Sequence, residues 1–391
     1  MLVFLLVAAI LFLSGATSSL VNAASGEEML SLFSLGWSAF FLCLLTLPSL
    51  VLSFRRLRGK VTSGAPPASG FRSSSLLMLI WPLIILAGSF LARSPELSWK
   101  FLPPIQLLGV AIPLWWLVEL GRRGLQKNSP QRTWGVINLG IIITPLLIIT
   151  LEFAALAAVL FAVSVWASSS PALMAQLAMT GQSLSRANMD PEAILRILRP
   201  YLQRGDVWFL ILAYTAGVVP LLEELFKPLG LWVLVKRGLS PTEGFELGLF
   251  CGASFALVET LGSLASSSGA EWTALVIGRV GIGLLHTVTG GLVGWGLATA
   301  WSRGRVLLLA LVYLAAAGLH GLWNLAGILM GFLPLLPAGK PGNLPTLLGS
   351  LAPAVLLVLT VILMGVLVWI NRHLRMTDKE GITTSITAAL P

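Results

Sequence analysis

Uninterrupted apolar runs, each about as long as a bilayer is thick, recur along this chain and decide most of what it can fold into. A helix needs roughly 20 apolar residues to cross the hydrocarbon core. Ten runs meet or approach that length: about 2–22, 33–54, 74–92, 101–120, 135–167, 207–235, 245–265, 273–301, 306–332 and 346–370. Only 10% of the 391 residues are charged and 56% are hydrophobic, whereas a soluble domain carries about 25% charged residues. Backbone inside lipid must satisfy its own hydrogen bonds, so runs of this kind are read as helices. The expected fold is all-α, a polytopic membrane helix bundle of about ten transmembrane helices. The first run lacks a basic leader, yet Val21-Asn22-Ala23 resembles a small-residue cleavage site. It is read as retained; if it is removed, nine spans remain.

The net charge of +9 does not signal nucleic acid, because the basic residues sit in short loops beside the runs. Arg55, Arg56, Arg58, Lys60 and Arg72 follow the second run, and Arg122, Arg123, Lys127 and Arg132 follow the fourth. Lys236 and Arg237, Arg303 and Arg305, and then Arg372, Arg375 and Lys379 fall on later alternate connections. Sixteen of the 25 Lys and Arg residues thus share one side, which predicts that both termini are cytoplasmic. The expected location is the cell membrane, most simply a bacterial inner membrane, with the bilayer itself as the main partner. Cys43 and Cys251 each lie inside an apolar run, and no disulfide is expected.

Four segments differ in character. Residues 1–170 form an apolar N-terminal module whose only central acid is Glu152. Residues 171–206 form an external loop in which Ile194, Leu195, Ile197, Leu198, Tyr201 and Leu202 fall mainly on one helical face. Arg196, Arg199 and Arg204 interleave them, the pattern of an amphipathic interfacial helix and equally of a surface helix. Residues 207–332 hold nearly all the intramembrane polar groups, and 333–391 supply a final span and a basic tail.

Ionisable groups inside a membrane are costly and concentrate at functional sites. Glu223, Glu224 and Lys227 share the sixth run, and Glu259, His286 and His320 occupy the next three. With a rise of 1.5 Å per residue, Glu223 lies about 18 Å from its run's cytoplasmic end, Glu259 and His320 about 21 Å, and His286 about 22 Å. Four residues on four spans are therefore predicted to share one layer. Gly248-x-x-x-Gly252 and Gly290-x-x-x-Gly294 flank that layer and allow close helix approach. Pro220 and Pro228 remove backbone donors on either side of the acids, which favours a kink lining a cavity. Lys227 is four residues from Glu223 and three from Glu224, so it can neutralise one carboxylate and leave the other for chemistry. His320 and Asn324 lie one turn apart. Peptide hydrolysis needs a base to activate water and donors to hold an oxyanion, and these side chains can supply both. No Ser or Cys is visibly paired with a base.

The same residues carry a family resemblance. Glu223-Glu224-Leu225-Phe226-Lys227 resembles the E-E-x-x-K motif of the PrsW intramembrane proteases, and Phe255-Ala256-Leu257-Val258-Glu259 their F-x-x-x-E motif. Arg279 with His286-Thr287-Val288-Thr289-Gly290, and then His320-Gly321-Leu322-Trp323-Asn324, are similar to the two remaining motifs. The four occur in order over about 100 residues, within 207–332. The resemblance implies a glutamate-dependent endopeptidase acting on a transmembrane protein substrate, typically an anti-sigma factor. The related CAAX prenyl proteases share the paired glutamates but have His where this chain has Glu259. By that comparison Glu223 is the base and His320 and Asn324 hold the oxyanion. Glu224, Glu259 and His286 complete the catalytic set, with Glu259 and His286 left open as the partner of Glu223. Lys227, Arg279 and Phe255 support them.

No cofactor is expected and no metal is required. Two rivals stand beside this reading. A zinc-dependent hydrolase would use Glu259, His286 and His320 as ligands, though no H-E-x-x-H is present. A cation- or proton-coupled transporter would use midplane acids, but 1–170 shows no matching polar set. Topology is directly testable. A reporter active only in the cytoplasm should work when fused after residue 391 and fail when placed between 171 and 206; the reverse pattern would invert the assignment.

Overall fold

The computed structural model describes residues 25–59, 70–188, 190–202, 204–235, 237–332 and 344–388, with isolated positions before residue 25. The first apolar run, 2–22, otherwise lies outside that set. The described elements are helices: α1 Gly26–Leu57, α2 Phe71–Ala92, α3 Pro95–Gly121, α4 Pro130–Asn138, α5 Thr144–Ala167, α6 Pro171–Arg186 and α7 Pro191–Leu202. Then come α8 Gly205–Ala213, α9 Val219–Phe226, α10 Leu229–Trp232, α11 Pro241–Leu264, α12 Trp272–Arg303, α13 Val306–Phe332 and α14 Leu344–Ala388. Among the described residues, nine helical stretches are long and apolar enough to cross a bilayer. There is one for each expected run from the second onward. The protein is an all-α, multi-pass membrane bundle.

Two runs are not continuous α-helix, and proline is the reason. Leu139–Ile143 and Tyr214–Val218 are π-helical turns, each followed two residues later by a proline, Pro145 and Pro220. A proline cannot donate to the carbonyl four residues back. The chain accommodates this by a five-residue step, with Thr144 N–H bonded to the Leu139 carbonyl and Val219 N–H to the Tyr214 carbonyl. Such insertions are frequent at functional sites. Pro228 then ends α9, leaving Lys227 in the break before α10.

Two compact units emerge from the contacts. One comprises residues 1–146, 224–316 and 360–391, the other 147–223 and 317–359. In the first, α3, α11 and α12 form the inner layer, with 61%, 72% and 67% of their apolar stretches buried, against 17% for the peripheral α2. The helices α11 and α12 are an antiparallel hairpin seamed by small residues. A Cβ at Gly244, Gly248 or Gly252 would collide with the backbone at Gly294, Gly290 or His286 respectively. Glycine is therefore required along this seam for the helices to touch, as small-residue membrane interfaces demand.

Polar ties fix both ends of α11. At its start, Ser240 and Glu243 form a capping box and Arg132 pairs with Glu243 at 2.9 Å. The fully buried Glu246 accepts from the Asn128 backbone and side chain, both at 2.7 Å, and lies 3.2 Å from Arg122. At its far end, Gln106 of α3 donates to the Leu264 and Ser267 carbonyls at 3.1 and 3.3 Å and accepts from Ser34 of α1. A buried carboxylate and amide persist only when so partnered. The result is a rigid post for the residues in the middle of α11.

In the second unit, Tyr214 donates to the Glu152 carbonyl at 2.8 Å, so the π turn is tied to α5. The segment expected to hold an amphipathic helix contains α6 and α7, bridged by the hydroxyls of Thr180 and Tyr201 at 2.5 Å.

The seam makes a prediction. Gly252→Leu should lower the unfolding temperature in detergent, by the equivalent of about 1–3 kcal/mol of overpacking or more. Gly262→Ala, at a position with open space around it, should melt like the parent. Equal melting of all three proteins would contradict this packing.

Candidate active site

The first unit assembles five of the expected side chains through one continuous set of contacts. Glu259 faces α12 from the rigid middle of α11, and its Oε2 lies 2.8 Å from His286 Nε2. Its Oε1 pairs with Arg279 at 2.9 Å, while Arg279 Nε donates to Thr260 Oγ1 at 3.2 Å. On the other side of the imidazole, His286 Nδ1 is 2.6 Å from Lys227 Nζ. Lys227 is also 2.6 Å from Glu224 Oε1, and the side chains of both are fully buried. Thr289, one turn after His286, donates to the same Glu224 oxygen at 3.2 Å.

The protonation pattern follows from donor chemistry. A lysine ammonium can only donate, so His286 Nδ1 must accept and the ring proton sits on Nε2, directed at Glu259. Charges then alternate from Arg279 through Glu259 and the neutral imidazole to Lys227 and Glu224, and they cancel. That neutrality makes the burial tolerable, because an unpaired charge in this interior would cost several kcal/mol. Phe255 completes the setting: its ring meets His286 edge-on at 5.3 Å and lies 5.2 Å beneath the Lys227 ammonium.

The second unit holds Glu223, His320 and Asn324. Glu223 Oε2 is 3.9 Å from His320 Nε2, and both side chains are buried. Asn324 donates to the Thr215 carbonyl at 3.0 Å, inside the π turn, using one of its two amide hydrogens. Gly321 lies against the Ala216 carbonyl, the acceptor that Pro220 deprives of its usual donor; a Cβ there would collide with that oxygen. Gly321 and Asn324 thus engage the segment leading into the acids, and His320 lies beside Glu223. One helix, α9, carries both carboxylates. Lys227 engages Glu224, and Glu223 is the one beside His320.

Several contributors carried little sequence signal. Thr289 and Gly321 sit inside motifs whose His and Asn residues draw the eye, and only their helical spacing marks them. Gln106 and Glu246 are polar residues in or at the edge of apolar runs, the one signal that could have found them. Both oxygens of Glu259 and both ring nitrogens of His286 have partners within their own unit.

A multi-pass bundle with buried, paired acids and imidazoles has the makings of a membrane-embedded hydrolase. A family model described as PrsW family intramembrane metalloprotease matches residues 134–366, more than half of the chain. The chain belongs to that family and is an intramembrane peptidase. The match extends on both sides of the 207–332 segment that carries the motifs. No curated protein and no solved structure matches the chain.

The buried ion pair yields a thermodynamic cycle. Lys227→Met strands the Glu224 carboxylate and should cost about 3–5 kcal/mol in unfolding measurements. Adding Glu224→Gln should recover most of that loss. Additive losses in the double variant would show that the two side chains do not depend on each other.

Proposed function

We propose that this chain hydrolyses a peptide bond of a membrane-spanning protein with water activated by Glu223. The supporting observation is the division of labour on α9. Lys227 commits Glu224 to an ion pair, while the adjacent Glu223 lies 3.9 Å from His320. That gap is too long for a direct hydrogen bond and suits a bridging water.

In this reading Glu223 takes a proton from the water as its oxygen adds to the scissile carbonyl carbon. His320 and the second amide hydrogen of Asn324 stabilise the oxyanion that forms. Collapse of the tetrahedral species breaks the C–N bond, and Glu223 returns the proton to the leaving amine. Glu259 and His286 act as one pair, since the ring that binds Lys227 also binds Glu259. With Arg279, Phe255 and Thr289 they hold Lys227 and Glu224, and so fix the rotation of the helix bearing Glu223. This reading needs no cofactor. An anti-sigma factor is the first substrate to try, and a bacterial inner membrane is the proposed location.

The family's description as metalloproteases favours a second reading. Ligands about 2.0–2.2 Å from a tetrahedral ion stand about 3.3–3.6 Å apart, close to the 3.9 Å between Glu223 and His320. These two residues would hold a divalent ion, whose chemistry is to acidify bound water towards neutrality.

Co-expression with a tagged single-span substrate tests the site. Glu223→Gln and His320→Ala should each abolish cleavage, a loss of at least about 100-fold as for removal of a general base or a key donor. Cleavage by both variants at the parental rate would place the chemistry elsewhere. Dialysis of the purified protein against a strong chelator separates the two readings. Retained activity supports Glu223 acting alone, and loss restored by zinc supports the metal.

A further inference from the structure

At the end of the bundle where the basic loops gather, the first unit contains a cavity of about 640 Å³. Arg56 from the last turn of α1, Arg132 from the first turn of α4 and Arg237 after α10 line it, and its apolar lining includes Val136, Leu139 and Leu234. No carboxylate lines it among the described residues. Arg132 is fixed in place: it pairs with Glu243 at 2.9 Å and donates to the Arg237 carbonyl at 3.2 Å. Arg56 and Arg237 are exposed. The three arginines therefore sit at the ends of membrane-spanning segments, the depth at which lipid headgroups lie.

We propose that this cavity binds an anionic phospholipid, its phosphate on Arg56, Arg132 and Arg237 and the start of its acyl chains on Val136, Leu139 and Leu234. Guanidinium forks match phosphate oxygens in pairs. Basic pockets between transmembrane helices on the positive side are suited to such headgroups. The occupant must be amphiphilic because the lining is: a free anion would leave the apolar wall uncovered, and an uncharged lipid would bring no negative charge to Arg56 and Arg237. Since Leu234 and Arg237 follow directly from α10, lipid here would steady the chain that leads back to Lys227.

The test uses the full-length protein in neutral detergent, with binding read by native mass spectrometry and by thermal shift. The probes are phosphatidylglycerol, phosphatidylcholine with the same chains, inorganic phosphate and a synthetic acidic peptide. Phosphatidylglycerol should bind and raise the unfolding temperature, and the other three should do so far less. Arg56→Gln and Arg237→Gln should each weaken phosphatidylglycerol binding about five-fold, and Arg56→Lys with Arg237→Lys should retain most of it. Arg132 is left intact because it anchors Glu243. The proposal is overturned if phosphatidylcholine binds equally, if phosphate alone protects as well, if the peptide binds in preference to the lipid, or if the glutamine variants bind phosphatidylglycerol as the parent does.

Discussion

A lysine ammonium and a glutamate carboxylate, 2.6 Å apart and without solvent contact, lie at the end of a short broken helix, and much of the surrounding structure exists to hold them. Two opposite charges in a low-dielectric interior attract strongly but have lost their hydration, and such a pair persists only with further polar partners. Here Thr289 supplies one on the carboxylate side, and the imidazole of His286 supplies one on the ammonium side. The imidazole is held in its tautomer by Glu259, which is balanced by Arg279. Each partner comes from α11 or α12. Their glycine seam is what brings Glu259 and His286 within hydrogen-bond distance.

The prolines and the ion pair work together. Pro220 shifts the preceding turn to a five-residue step, and the carbonyls there are covered by Asn324 and approached by Gly321. Pro228 ends α9 beside Lys227, so this residue lies at a break and can reach both His286 and Glu224. A helix so interrupted has its rotation set by tertiary contacts, and rotation decides which of two adjacent acids faces which neighbour. Adjacent positions on a helix are about 100° apart, so one acid can be neutralised while the other meets a different environment.

This explains what the sequence could and could not tell. The fold class and nine spans follow from run length and charge, because lipid leaves a backbone few alternatives. The matched depths of Glu259 and His286 agree with their hydrogen bond, since α11 and α12 are unbroken between those residues and their ends. For Glu223 the estimate counted straight from Val235, across a break that apolar periodicity does not reveal. The motif spacing allowed Lys227 to reach either acid, and only the rotation of α9 assigns it to Glu224. Gln106, Glu246 and Thr289 escaped notice because their partners are set by helix packing rather than by chain order. The pairing of Glu259 with His286 also recasts the question of which of them assists, because the imidazole that meets Glu259 is the one that meets Lys227.

The central claim is that water, activated by Glu223, attacks the substrate directly. A single turnover of the reconstituted protein in oxygen-18 water, followed by mass spectrometry of product and enzyme, tests it most directly. The account predicts one heavy oxygen in the new carboxyl terminus of the product and none in the peptide containing Glu223. Label in the Glu223 side chain, with an unlabelled product, would mean that the carboxylate itself attacks, and would contradict the account.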